Sequence, residues 1–222
     1  MTDGLVRTSE RIYDALMLGR CYPETVGEGK TLNFNLRYVD WEHPENNLYH
    51  VTEEFQVFNS DGQHDARSDI VLFINGIPFA VIECKVLDHG VNEAVNHTVR
   101  NQRNDYIPQL YKFAQILLAT NTVDVKHDTT DARRELWSFW KEQDEDYMAA
   151  QLRVHVSERT PTEQDLTIIF LLHIDRALFL VRNFIIYDAN VKKIYRYQQF
   201  FAIQDIVRTV EQTNERENRQ AA

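Results

Sequence analysis

Cysteine is nearly missing: Cys21 and Cys84 are the only two in 222 residues, and they form no CxxC pair. That argues against a disulfide framework and a cysteine-based zinc site. Cys84 lies inside an apolar run, where a thiol behaves as a small buried hydrophobe. Long hydrophobic runs are also missing. No stretch approaches the roughly 18–20 apolar residues that a membrane span needs, and residues 1–10 carry no apolar signal-peptide core. A cytoplasmic protein without a membrane segment is the expectation. Basic charge is short as well, with 24 Lys and Arg against 34 Asp and Glu, a net charge of −10. Binding to phosphates requires Lys and Arg to displace counterions, so bulk electrostatics argue against a free-standing DNA binder. A local basic groove, or delivery to DNA by partner proteins, remains open. The eight histidines are scattered, with no i, i+4 pair and no H-E-x-x-H. His173, on an apolar helical stretch, reads as a core histidine.

What is present divides near residue 125. Up to there, "TSERIYDALM" has helical spacing, "YPETVGEGK" breaks it, and "TLNFNLRYVD" and "LYHVTEEFQVF" alternate as strands. "NSDGQHD" reads as a polar loop. "HGVNEAVNHTVRNQRNDYI" reads as a helix, and Gln115–Thr120 as a strand covered on both faces. Beyond Val125, "DARRELWSFWKEQDEDYMAAQL", "PTEQDLTIIFLLHI", "IDRALFLVRNFIIYD" and "YRYQQFFAIQDIVRTVEQT" all have helical patterns, with Thr162 or Pro161 placed to start one and Asp175 the next. Trp137 and Trp140, at i and i+3, read as a packing stripe. The tail "NERENRQAA" is expected to fray. The fold class expected is therefore α/β: a mixed sheet flanked by helices over residues 1–125, followed by an all-helical segment over 126–222.

The chemistry concentrates in "RSDIVLFINGIPFAVIECK", Arg67–Lys85. Two apolar strands meet at Asn75-Gly76, with Asp69 on the first and Glu83-x-Lys85 closing the second. Glu83 and Lys85 leave one strand face, being two apart. Asp69 joins them only on a condition. A plain two-residue turn pairs Ile74 with Ile77 and sets Asp69 opposite Ile82, on the wrong face. A three-residue loop, a bulge or a bend at Asp69 restores convergence, so one of these is expected. Converged carboxylates suit a hard cation such as Mg²⁺ bound through oxygen, with the backbone carbonyl of Cys84 as a further ligand. Such an ion lowers the pKa of bound water, and Lys85 beside it stabilises charge in phosphoryl chemistry. The alternative is a Glu83–Lys85 ion pair on a solvated sheet face, although an acid in so apolar a strand is costly unless paired or liganded.

The Asp69…Glu83-x-Lys85 set resembles the PD-(D/E)xK nuclease motif. The wording "DIVLFINGIPFAVIECK" resembles more closely the N-terminal nuclease region of the type I restriction enzyme R subunit, which cleaves and translocates DNA. The resemblance extends to "YVDWEHPENNLYHVTEEFQV", "NQRNDYIPQLYKFAQILLATN", "LWSFW", "RALFLVRNFIIYD" and "KKIYRYQQFFAIQDIV", from about residue 30 to 210. It implies a restriction-endonuclease-like fold, with Asp69 and Glu83 as metal ligands and Lys85 as the catalytic lysine. It also implies a Gln-x-x-x-Tyr motif on the following helix, matched by Gln102 and Tyr106, placed to touch DNA backbone or orient the site. An amphipathic helix with a half-buried tyrosine is the alternative there. Arg103 is a candidate phosphate contact, and a solvent-facing charge is equally consistent. Ser68 stands where the motif has proline, and Cys84 where an aliphatic is usual.

In the family an ATP-driven motor follows, with a phosphate-binding loop. The nearest approximation here, "VGEGKT", lacks the spacing and precedes a strand, so it reads as a loop. The expectation is a fragment that uses ATP only as part of the full subunit. Mg²⁺-dependent cleavage of double-stranded DNA, with methylation and specificity subunits as partners, is the activity the resemblance implies. A silent docking module of that subunit and a stand-alone DNA-repair nuclease are the alternatives.

Overall fold

The structure, a computed structural model, describes residues 4–59, 61–62, 65–156 and 159–220. A helix, Leu5–Leu18 (α1), leads into a two-stranded ribbon, Arg20–Val26 (β1) and Lys30–Leu36 (β2). Then come three antiparallel strands, Tyr49–Phe58 (β3), Asp65–Ile74 (β4) and Ile77–Cys84 (β5). The helix Val91–Asn101 (α2) and the single turn Pro108–Tyr111 (α3) cross over to Ile116–Thr120 (β6), and Val125–Asp128 (β7) closes the sheet. The five strands lie in the order β3-β4-β5-β6-β7. β5 and β6 are the parallel pair, and a parallel pair cannot be joined by a tight turn, which is why α2 lies between them. Glu145–His155 (α4), Glu163–Leu171 (α5) and Ile174–Phe184 (α6) follow, then a small hairpin, Ile185–Asp188 (β8) with Val191–Ile194 (β9), and a long helix, Tyr197–Gln220 (α7).

The sheet is buried on both faces. One face, with Ile82, Ile116 and Leu118, packs against Leu16 of α1 and Phe170, Leu178, Val181 and Phe200 of the later helices. The other face, with Val71, Val81, Leu117 and Ala119, packs under α2 and α3 through Val91, Ala94, Val95 and Leu110. This double cover explains why Ile116–Thr120 is apolar throughout. It also bears on the expected boundary at 125/126. That boundary falls at the start of β7, which pairs with β6, and the helices after it complete one apolar cluster with the sheet. Stripping them off would expose Ile82 and Leu118 at roughly 2 kcal/mol each. The ends of the chain are tied as well. Lys192 of β9, fully buried, donates to Gln115 Oε1 (2.8 Å), the Ala114 carbonyl (3.1 Å) and Ser9 Oγ (3.3 Å). Burial holds its ammonium well below the usual lysine range.

Several local expectations are corrected. "YPETV" belongs to β1, because Pro23 sits in a ribbon that needs no donor from it on a second side. The helix expected across Asp131–Leu152 begins only at Glu145. Ser138 instead exchanges backbone hydrogen bonds with His127 and holds its neighbours extended. Trp137 and Trp140 are therefore no helical stripe: both are buried, Trp137 in the cluster under α2 and Trp140 in the cluster on the other face. The segment after 125 is not all helical, since α6 stops at Phe184 and β8–β9 turn back through Ala189 and Asn190, both at positive φ. Thr162 caps α5 with a capping box to Asp165, as expected. His173, not Asp175, is the cap position of α6, and it is a third exposed rather than a core residue. α7 runs through most of the tail expected to fray, to Gln220. "VGEGKT" forms the turn of the β1–β2 ribbon and opens a strand, as a loop reading requires. The "NSDGQHD" loop lies partly outside the described residues, His64 included.

Candidate active site

The turn between β4 and β5 has two residues, Asn75 and Gly76, both at positive φ (51° and 79°), with Ile74 opposite Ile77. Asn75 fits for a second reason. Its side chain accepts from Leu48 N–H (2.7 Å) and donates to Asn47 Oδ1 (2.8 Å) and the Tyr38 carbonyl (2.9 Å), pinning the turn to the start of β3. A plain hairpin of this kind would turn Asp69 away from Glu83. It does not, because the register slips once. Phe73 faces Pro78, yet Leu72 faces Ala80, so Phe79 is an extra residue. Phe79 and Ala80 consequently both enter the core on the α1 side. Beyond the bulge, Ile70 faces Ile82, and the next pair in that register is Asp69 with Glu83. The condition set by the sequence is met by a bulge inside β5 rather than by a longer loop.

The Asp69 carboxylate reaches the end of β5, where Oδ2 accepts from the Cys84 N–H at 2.6 Å. Glu83 is buried, on the α2 face of the sheet. Its Oε1 accepts from Lys85 Nζ at 2.7 Å and lies 3.2 Å from Nδ1 of His97, which comes from α2. Lys85 Nζ also donates to the Cys84 carbonyl at 3.3 Å. So a buried acid in an apolar strand is paired, as its burial demands. Among the described residues, Asp69 Oδ1 and Glu83 Oε2 accept no protein hydrogen bond. These are the oxygens left for a cation. Among the same residues no three His, Cys, Asp or Glu side chains gather as a complete metal-ligand set. The donor set suits a hard ion that keeps several waters, such as Mg²⁺, and does not suit an all-protein cage. The Cys84 thiol, desolvated and beside the Asp69 and Glu83 charges, is pushed up to about 11.

The residues expected on the following helix are placed differently. α2 ends at Asn101, so Gln102 and Tyr106 do not share a helix face. A run of turns follows, with Arg103 N–H bonded to the Arg100 carbonyl and Tyr106 N–H to the Arg103 carbonyl, both at 3.0 Å. Gln102 is buried: it donates to the Thr98 carbonyl (3.1 Å) and accepts from Asp131 N–H (2.7 Å), steadying Asp131 at positive φ. Tyr106 lies under the Arg100 guanidinium, 4.9 Å from ring centroid to Cζ. Arg103 is exposed and paired with Asp105 at 3.2 Å. The residue missed by sequence reasoning is His97. Its signal was there, since it stands three residues from Ala94 on the helix whose buried stripe is Val91, Ala94, Val95 and Thr98.

Comparison with known proteins bears on this hairpin. The family described as Type I restriction enzyme R protein N terminus matches residues 2–136. The chain belongs to that family. A Methanocaldococcus jannaschii protein, provisionally named the type I restriction enzyme MjaIXP endonuclease subunit, is 26% identical over 218 residues, covering 87% of this chain and 20% of its own. The Escherichia coli type I restriction enzyme EcoprrI endonuclease subunit is 24% identical over 140 residues, 62% of this chain and 42% of its own. The Staphylococcus saprophyticus SsaAORF53P endonuclease subunit is 29% identical over 92 residues, 41% of this chain and 10% of its own. The chain thus spans less than half the length of each of these relatives. Among the described residues no helix is long and apolar enough to cross a membrane.

Proposed function

We propose that this chain is the nuclease region of a type I restriction R subunit and that it cleaves the phosphodiester backbone of double-stranded DNA with Mg²⁺. The observation that supports this most is the bulge at Phe79, whose slip in register turns Asp69 and Glu83 to one face, beside Lys85. A random pair of acids on a hairpin has no need of it. Asp69 and Glu83 would hold the ion, with the Cys84 carbonyl as a further oxygen ligand. When bound, such an ion supplies a more acidic water and charge neutralisation at a phosphate oxygen. The chain's own part is positional. The Cys84 N–H orients the Asp69 carboxylate, and Lys85, tethered to Glu83, presents its ammonium where negative charge grows on the phosphate.

A net charge of −10 does not concentrate DNA at this site unaided. In this reading DNA is brought by an ATP-driven motor and by the methylation and specificity subunits of the restriction complex, not by the charge of this chain. The same charge disfavours a stand-alone repair nuclease. A non-catalytic docking role is the second reading, and the exposed apolar side chains of Ile206, Val207 and Val210 on α7 favour it. The test is nicking of supercoiled plasmid in Mg²⁺ by the chain and by Lys85→Ala. Conversion to open circles by the first, slowed at least ~100-fold in the second, supports cleavage. Equal rates, or no cutting by either at high protein, moves the assignment to docking.

A further inference from the structure

Among the described residues, His97 is the one side chain from outside Asp69–Lys85 that bonds to the candidate site, and its helix is held at both ends. Near the start of α2, Asn121 Nδ2 donates to the His89 carbonyl and Lys126 Nζ to Asn92 Oδ1, both at 2.8 Å. At its end, Gln102 bonds back to Thr98 and across to Asp131. In between, Ala94, Val95 and Thr98 are buried against the sheet. A helix so fixed delivers the imidazole to one place. Nδ1 and Lys85 Nζ meet the same oxygen, Glu83 Oε1, at 3.2 and 2.7 Å. Two donors on one carboxylate oxygen fix the rotation of the group, and they leave the second oxygen without a protein partner.

We propose that His97 is a positioning residue: it fixes the Glu83 carboxylate through Oε1 and leaves Oε2 free, as a preset half of a divalent-cation site shared with Asp69. This rests on the reading of Asp69 and Glu83 as the cation-binding pair. Lys85 alone, two residues from Glu83 and one past the end of β5, restrains the carboxylate from one direction. His97 adds a restraint from a separate element, as outer partners of metal-binding carboxylates do. Nothing in the Gln102 or Tyr106 placement supplies such a contact, so the role falls to the histidine.

Mn²⁺ binding measured by electron paramagnetic resonance separates the possibilities, with the whole chain as wild type, Asp69→Ala, His97→Ala and His97→Gln. Thermal unfolding of each variant checks the fold. The expected result is affinity lost in Asp69→Ala and lowered about tenfold in His97→Ala. In His97→Gln, whose amide can still donate to Oε1, affinity lies closer to wild type than to the alanine variant. Binding that Asp69→Ala abolishes and His97→Ala leaves intact overturns the positioning role alone. A glutamine variant no better than alanine overturns it too. No Mn²⁺ binding by the wild type overturns the cation-site reading and this inference together.

Discussion

His127 and Asp128 sit side by side on β7 and face opposite sides of the sheet, 1% and 8% exposed. Burial pushes the His127 imidazole from 6.5 down to about 4, with the Arg196 charge acting in the same direction. Burial pushes the Asp128 carboxyl from 3.8 up to about 7, against the Thr129 N–H and the Arg196 charge. The two shifts have opposite consequences for stability. His127, depressed on folding, contributes stability that is present above pH 6.5 and lost as pH falls toward 4. Asp128, raised on folding, contributes stability that is present below pH 3.8 and lost as pH rises through 7. Between about pH 4 and 6.5 the unfolded chain holds one proton on the histidine, and the folded chain holds one on the aspartate. The counts match, so the pair adds no slope to stability in that window. Removing one partner exposes the other. Relative to wild type, Asp128→Asn is expected to gain about 4 kcal/mol between pH 4 and 7, at about 1.4 kcal/mol per pH unit. His127→Phe, which keeps an aromatic against Trp140, is expected to lose about 3 kcal/mol relative to wild type between pH 4 and 6.5. Urea unfolding at half-unit steps of pH reads both. A difference from wild type that stays flat with pH in either variant refutes the reasoning for that residue.

The remaining expectations concern other parts of the chain. Arg176 pairs with the buried Glu142 and stacks on Trp140, Tyr147, Phe200 and Phe201. Arg176→Met should cost about 3–5 kcal/mol by stranding the Glu142 charge, with much of it recovered in the Arg176→Met/Glu142→Met double variant, as measured by urea unfolding. Thr162→Ala removes the cap of α5 and should cost about 1 kcal/mol, read as a lowered denaturation midpoint. With its thiol at about 11, Cys84 should resist iodoacetamide at pH 8 while exposed Cys21 reacts, and mass spectrometry of the labelled peptides distinguishes them. Comparable labelling of both in the folded chain would count against the raised thiol of half-buried Cys84.

Much of the site could be read from residue order because it depends on local rules. Asn75-Gly76 specifies a tight turn, and the spacing Glu83-x-Lys85 puts two side chains on one strand face. Sequence also showed that Asp69 needed an irregularity to join them. It could not show where, because a bulge at Phe79 is decided by how Phe79 and Ala80 share the core with the helices behind the sheet. His97 escaped notice for a similar reason: its partner is fourteen residues away in sequence and meets it only through the crossover between β5 and β6. Gln102 and Tyr106 read as helical because the periodicity of α2 continues past Asn101, whereas the chain turns there, Arg103 N–H bonding to the Arg100 carbonyl and Tyr106 N–H to the Arg103 carbonyl. Short strands were hardest. Ile185–Asp188 continues the apolar spacing of α6, and only the positive φ at Ala189 and Asn190 reveals a hairpin. The Trp137 and Trp140 pair shows the same limit. Helical spacing predicted one stripe, and an extended segment sends the two rings to opposite faces of the sheet.

The most direct test of the central claim is a crystal of the whole chain soaked in Mn²⁺ and measured at a wavelength where manganese scatters anomalously. The account predicts a peak bounded by the Asp69 and Glu83 carboxylates, and its loss in Asp69→Ala. A strong peak elsewhere with nothing at this pair, or an Asp69 carboxylate turned to the opposite face of the sheet from Glu83, would contradict it.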